Sequence, residues 1–330
     1  MSVDLVTGGS GFIGRHVVAA LRERGGKVRI LDLAPPDDLA ADVEFVAGSI
    51  LDPQRLDVAM TGVRHVYHLA GIAKLWLCDR ADFERVNAGG TATVLRAAAT
   101  QRVERVIHCS TEAVLLPKCR GTAAFVDENV EPALADMPGP YTRSKLKAEQ
   151  SVLAAVREGL NALIVNPTVP IGPGDRNLTP PAAMLSMFLK GQSRAYLECV
   201  LNLVDVRDVA GGMVLAAERG RTGERYILGG DNLALTDLLG LLETLSGRPM
   251  PKRAVPGWLA LASAVVTEWI ADVLTHHPPA ATREGVALAL RSQPFDSRKA
   301  RSELGYAPRA LQDALADAVS WLSSAGAASP

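Results

Sequence analysis

Short apolar runs rich in β-branched residues alternate with longer stretches of helical period through the first half of the chain. The run at residues 3–6 ends in Thr7-Gly8-Gly9, and residues 12–24 follow with the spacing of an amphipathic helix. Residues 28–31, 43–46 and 63–69 read as further strands. A helical stretch from about 81 to 100 precedes a strand at 103–109, and another from about 141 to 156 precedes one at 160–165. This alternation predicts an α/β fold, a doubly wound parallel sheet with helices on both faces and right-handed crossovers.

The pattern changes past Asn166. Pro167, Pro170, Pro173, Pro180 and Pro181, with Gly172 and Gly174, mark a loop-rich departure from the sheet. Residues 202–206 and 207–217 read as a returning strand and helix, with Asp208 as the N-cap. From about Asp231 onward, helical segments are punctuated by proline. The expected division is a nucleotide-binding domain of residues 1–166 plus about 203–230, and a smaller substrate-binding domain of about 167–202 plus 231–330. Residues 323–330 are expected to fray. The most apolar stretch, residues 258–266, falls short of the roughly 18 residues of a membrane span, and Glu268 and Asp272 interrupt its continuation. It reads as a buried or interface helix, with no stable membrane insertion; peripheral contact is the lesser alternative.

Composition narrows the partners. The 330 residues are 48% hydrophobic and 22% charged, as in ordinary globular proteins, and the net charge of −1 offers no electrostatic case for nucleic acid or for an anionic membrane. A small-molecule partner is expected instead. Cys78, Cys109, Cys119 and Cys199 form no C-x-x-C pair, and no secretory leader is read, so reduced thiols in the cytoplasm are expected. His16, His65, His68, His108, His276 and His277 do not sit at ligand spacing with them, so no metal site is expected.

Chemistry enters with the glycines. Gly8, Gly11 and Gly14 follow the first strand and open a helix, where backbone N–H groups can meet a pyrophosphate. Asp32 ends the second strand at the distance of a ribose-binding carboxylate, which favours NAD over NADP. Arg15 and Arg29 keep NADP open, and the bland reading of Asp32 is a turn-former before Pro35-Pro36.

Tyr141 and Lys145 are four residues apart, on one face of a helix. A free phenol titrates near pH 10, and an adjacent ammonium favours its phenolate, so Tyr141 could exchange a proton with a substrate alcohol or ketone. Ser110-Thr111 lies just past a strand end, where ligands of such sheets bind; Thr111 is the expected substrate-orienting hydroxyl, and Ser110 reads as a capping residue.

These motifs resemble the extended short-chain dehydrogenase/reductases, also called the NAD-dependent epimerase/dehydratase family. The matching pieces are Thr7-Gly-Gly-Ser-Gly-Phe-Ile-Gly14, Val66-Tyr-His-Leu-Ala-Gly71, Asn87-Ala-Gly-Gly-Thr91, His108-Cys-Ser-Thr111, Tyr141 to Lys145, the segment from Asn166 to Asp175, and that from Val204 to Ala210. The resemblance implies Thr111, Tyr141 and Lys145 as the catalytic group. It implies cofactor contacts from Gly8, Gly11, Phe12, Ile13, Gly14, Asp32, Ile50, Leu69, Ala70, Gly71, Tyr141, Lys145 and Pro167, and a homodimer formed through two helices of the nucleotide domain. Ser49 departs from the family, many members having an acid there.

Residues 73–76, 166–168 and 223–230 are most similar to the dihydroflavonol-reductase-like branch, which includes hopanoid-associated sugar epimerases. The Thr-Asp-Glu of sugar 4,6-dehydratases is absent, since Glu112 and Ala113 follow Thr111. The expected function is NAD(P)-dependent interconversion of a secondary alcohol and a ketone. The alternatives are epimerisation of a sugar or sugar nucleotide and a dinucleotide-sensing protein without turnover. Lys74, Trp76, Glu112, Asn177 and the region of Trp258 are candidate substrate contacts.

Overall fold

The computed structural model describes residues 3–118 and 124–327; Cys119 and the last three residues of the expected frayed tail lie outside them. Among the described residues ten strands follow in chain order: β1 (Val3–Thr7), β2 (Lys27–Asp32), β3 (Glu44–Ala47), β4 (Val63–His68), β5 (Arg105–Cys109), β6 (Ala162–Pro167), β7 (Val169–Ile171), β8 (Val200–Asp205), β9 (Arg225–Leu228) and β10 (Asp231–Ala234). Seven form one all-parallel sheet in the order β3-β2-β1-β4-β5-β6-β9. Helices on both faces bury it, so β6 is buried at every position. The chain is thus a Rossmann-type α/β protein. Its strand order reverses between β1 and β4, placing a ligand crevice at the carboxyl ends of those strands.

The returning segment splits between two sheets. Strand β8 pairs with β7 and β10 in a separate three-stranded sheet, while β9 alone rejoins the main one beside β6. The helix Val206–Arg219 is capped by Asp205, whose side chain accepts from Arg207 N at 2.7 Å. Asp208, the expected cap, lies inside the first turn and pairs with Arg309 at 3.0 Å. The strand runs straight into the helix, so the last strand residue does the capping.

Three further expectations change. The stretch read as one helix from 81 to 100 contains a π-helical turn, Glu84–Gly89, before Gly90–Thr100. The terminal helix continues to Ala327, through most of the expected frayed tail. Of the buried and interface readings of the apolar helix Gly257–Ile270, burial fails: Trp258 is 72% exposed and Trp269 58%.

Candidate active site

The turn after β1 is built so tightly that side chains would not fit. Gly8 has φ +73°, and a Cβ on it would lie 2.6 Å from Ala70 N; one on Gly14 would lie 2.1 Å from Gly8 O. The loop therefore folds against the end of β4, and the N-terminus of the helix Phe12–Glu23 has neither a side-chain cap nor an acid in its first turn. Such an end suits an anion. It opens on a cavity of about 760 Å³, of the size that holds cofactors.

Of the predicted cofactor residues, Gly8, Gly11, Phe12, Asp32, Ile50, Leu69, Ala70 and Gly71 line this cavity; Ile13, Gly14, Tyr141, Lys145 and Pro167 do not. Asp32 is held at its rim, Oδ2 accepting from Ser10 N at 3.0 Å and Oδ1 from Leu33 N at 2.7 Å. Arg29 is turned away to Glu44 and the carbonyls of Ala59 and Thr61. Arg15 lines the cavity but pairs with Asp38, and Arg176 pairs with Asp37. The acids at this rim fit a ribose diol better than a 2′-phosphate. Asn177 also lines this large cavity.

The second group gathers where β5 ends. Thr111 follows the strand, and its Oγ1 both donates to Glu112 Oε2 at 2.9 Å and accepts from Ala113 N at 3.3 Å. Thr111, not Ser110, is thus the capping hydroxyl; the Ser110 Oγ is buried without a hydrogen-bond partner among the described residues. Tyr141, in the first turn of the helix Pro140–Arg157, brings its phenol beside the Thr111 hydroxyl. Lys145, one turn on, gives its Nζ to the Cys109 carbonyl at 2.7 Å.

Burial sets the charges here. It raises the Tyr141 phenol well above its ordinary value; the neighbouring Thr111 hydroxyl opposes this and the Glu112 charge adds to it. The expected acidification by Lys145 is not what dominates, since that amine is tied to β5 and is itself pushed down by burial. Burial also lifts the Glu112 carboxyl to about 8, against its bond from Thr111. Tyr141 and Glu112 are therefore both proton donors at neutral pH. Beneath them His68 bridges Thr7 and Thr91 at 2.8 and 2.9 Å and packs on His108, with burial lowering the former to about 3.

Sequence reasoning missed two residues that position this group. Glu284, 143 residues after Tyr141, reaches the helix that carries the phenol: it accepts from Thr142 N at 2.8 Å, Thr142 Oγ1 at 2.7 Å and Tyr141 N at 3.2 Å. No local signal announces a cap supplied from so far along the chain. Asn87, quoted above only as part of a motif, sits in the π-helical turn. It joins Ile72, which lines the large cavity, to Ser144 of the Tyr141 helix, accepting from Ile72 N at 2.7 Å and donating to Ser144 Oγ at 2.9 Å.

Residues 5–229 match the model of the NAD dependent epimerase/dehydratase family. The chain belongs to that family. Among its relatives, a Synechocystis sp. protein named for dihydroflavonol 4-reductase is 39% identical over 328 residues, covering 97% of this chain and 94% of the relative. Sterol demethylase protein B of Methylococcus capsulatus is 31% identical, covering 98% of each. The crystal structure of gox2253 superposes with a TM-score of 0.85 at 37% identity, over 99% of both chains. This epimerase/dehydratase family member is thus an enzyme of the extended short-chain dehydrogenase/reductase type, with NAD as the family's cofactor.

Proposed function

We propose that the chain is an NAD-dependent oxidoreductase that interconverts a secondary alcohol and a ketone on a bulky, weakly polar molecule, with Tyr141 as the general acid and base. The observation that carries this reading is the gathering of the half-buried Tyr141 phenol, Thr111 and Lys145 at the carboxyl end of β5. A protonated phenol suits the reductive direction, in which the carbonyl oxygen becomes a hydroxyl. Thr111 would hold that oxygen, Tyr141 would donate the proton, and Lys145 would position the reactive end of the cofactor. Bound NAD supplies or accepts the hydride. The glycine loop with Phe12 and Ile13 would hold the pyrophosphate, Asp32 the adenosine ribose and Ile50 the adenine. Leu69 to Gly71, with Pro167, would line the remainder.

The names of the dihydroflavonol and sterol relatives support a ring ketone or its alcohol as substrate. In this reading the unit of about 167–202 plus 231–330 shapes the substrate end. The enzyme works in the cytoplasm as a homodimer joined through the outer faces of the helices Gly90–Thr100 and Pro140–Arg157. That pairing follows from the family resemblance, and gel filtration of purified protein tests it.

The test of function is NADH oxidation against a panel of ring ketones, in wild type and Tyr141→Phe. A stoichiometric loss of NADH that falls about 10²–10⁴-fold in the variant, with NADH binding retained, is expected. Turnover of a nucleotide sugar with no net change in cofactor would instead establish epimerisation.

A further inference from the structure

The helix Gly257–Ile270 and the π turn Ala271–Thr275 that extends it are packed inside out. Small or polar residues at three- and four-residue spacing, Gly257, Ala260, Ala264, Glu268 and Ala271, face the protein, and Ala264 has no exposed surface. Bulky apolar side chains face away: Trp258, Val265, Val266, Trp269, Val273 and Leu274 are all exposed. Surface helices ordinarily do the reverse, and a contiguous apolar face of this kind marks an interaction site.

The charges around this face indicate what it meets. The only charged residues in 257–275 are Glu268 and Asp272. Asp272 accepts from Trp76 Nε1 at 2.9 Å and from Arg80 at 2.8 Å, and Glu268 pairs with Arg283. Nineteen residues with mean hydropathy 1.4 are long and apolar enough to cross a bilayer. Their two acids, however, are bound to the rest of the protein, so the helix lies along the surface instead of leaving it. Exposed Lys252 and Arg253 precede the helix, and exposed Lys74 lies two residues before Trp76. Among the described residues no ion pair engages Arg253 or Lys74, and Lys252 reaches only Glu243, at 3.8 Å.

We propose that this helix docks the enzyme on the surface of an anionic lipid bilayer, its apolar side chains in the acyl boundary and the flanking cations among the headgroups. A second copy of the chain fits less well, because both acids of the helix are already engaged and would bring no partner to these cations. The docked face adjoins the chemistry. Trp76 and Glu268 wall a cavity of about 240 Å³ whose lining includes Phe83 and Pro140. Phe83 stacks edge-on to Tyr141 with ring centroids 6.3 Å apart.

Flotation of the full chain with phosphatidylcholine vesicles, with and without phosphatidylglycerol, tests the inference without requiring turnover. Its failure is therefore distinguishable from failure of the oxidoreductase reading. Wild type should float with the anionic vesicles and bind them roughly tenfold more tightly than neutral ones. Trp258→Ser/Trp269→Ser should reduce binding at least tenfold, while its melting temperature and NADH affinity stay unchanged. Lys252→Glu/Arg253→Glu should abolish the anionic preference. Absence of flotation, or flotation indifferent to these variants, would overturn the proposal. So would a wild-type dimer that the tryptophan variant dissociates and that never binds vesicles, since the face would then lie between two copies.

Discussion

Replacing Glu284 removes the distant cap of the helix that carries Tyr141. Its carboxylate accepts three hydrogen bonds, two of them from backbone N–H groups at a helix start that has no side-chain cap of its own. In Glu284→Ala those donors are left buried, at about 1–3 kcal/mol each, and the favourable interaction with the helix N-terminus is lost. Removing a carboxyl whose ionised form burial already disfavours offsets part of that cost. A net destabilisation of about 3 kcal/mol follows, or a fall in melting temperature of about 4 °C for a chain of 330 residues. Glu284→Gln keeps one acceptor and should lose about 1 kcal/mol or less.

The pH dependence has a definite sign. Because the folded-state value lies above the ordinary 4.5, the stability tied to Glu284 titration is fully present below that value and lost as pH rises through the folded one. Glu284→Gln should thus gain on wild type between pH 4 and pH 8. Differential scanning fluorimetry across that range, with ketone reduction at each pH, provides the assay. If Glu284→Ala melted within 1 °C of wild type and kept its turnover, the helix would not depend on this cap and the reasoning would fail.

Glu112, neutral until about pH 8, should give a basic limb to the reduction profile as its charge appears beside Tyr141; Glu112→Gln should flatten that limb in pH–rate measurements. Asp32→Ser should raise NADPH affinity relative to NADH by about tenfold or more in fluorescence titration, because the rim acid that repels a 2′-phosphate is gone. Gly14→Ala places a Cβ 2.1 Å from Gly8 O, so NADH binding by calorimetry should be lost and the melting temperature should drop.

The parallel sheet and the glycine turn were legible because both depend on local signals: β-branched runs, helical period, and glycine where the chain doubles back. The positions of Tyr141 and Thr111 in the fold were legible for the same reason, each lying near the end of a recognisable element. Glu284 was not, since its partners are 143 and 142 positions away and a glutamate at a helix start looks like any other. Lys145 was placed on the right helix face, but its bond to the Cys109 carbonyl depends on how that helix sits against β5. For the helix at Trp258 the sequence left burial and an interface open, and the small residues that fill its interior face decide against burial. Asp208 and Ser110 show a finer limit: a cap and its neighbours share composition, and only backbone geometry separates them.

The π-helical turn at Glu84–Gly89 gives Asn87 a vulnerability of its own. Such a turn holds more residues than an α-helical one, so deleting a single residue between Phe83 and Gly90 would let the backbone relax into regular helix. The extra residue would be lost from the turn itself, so the flanking helix would keep its facing while the side chains within the turn moved. The asparagine would leave its place between Ile72 and Ser144 while the surrounding strands kept their order. A lineage could therefore retire the chemistry by one codon and keep the fold.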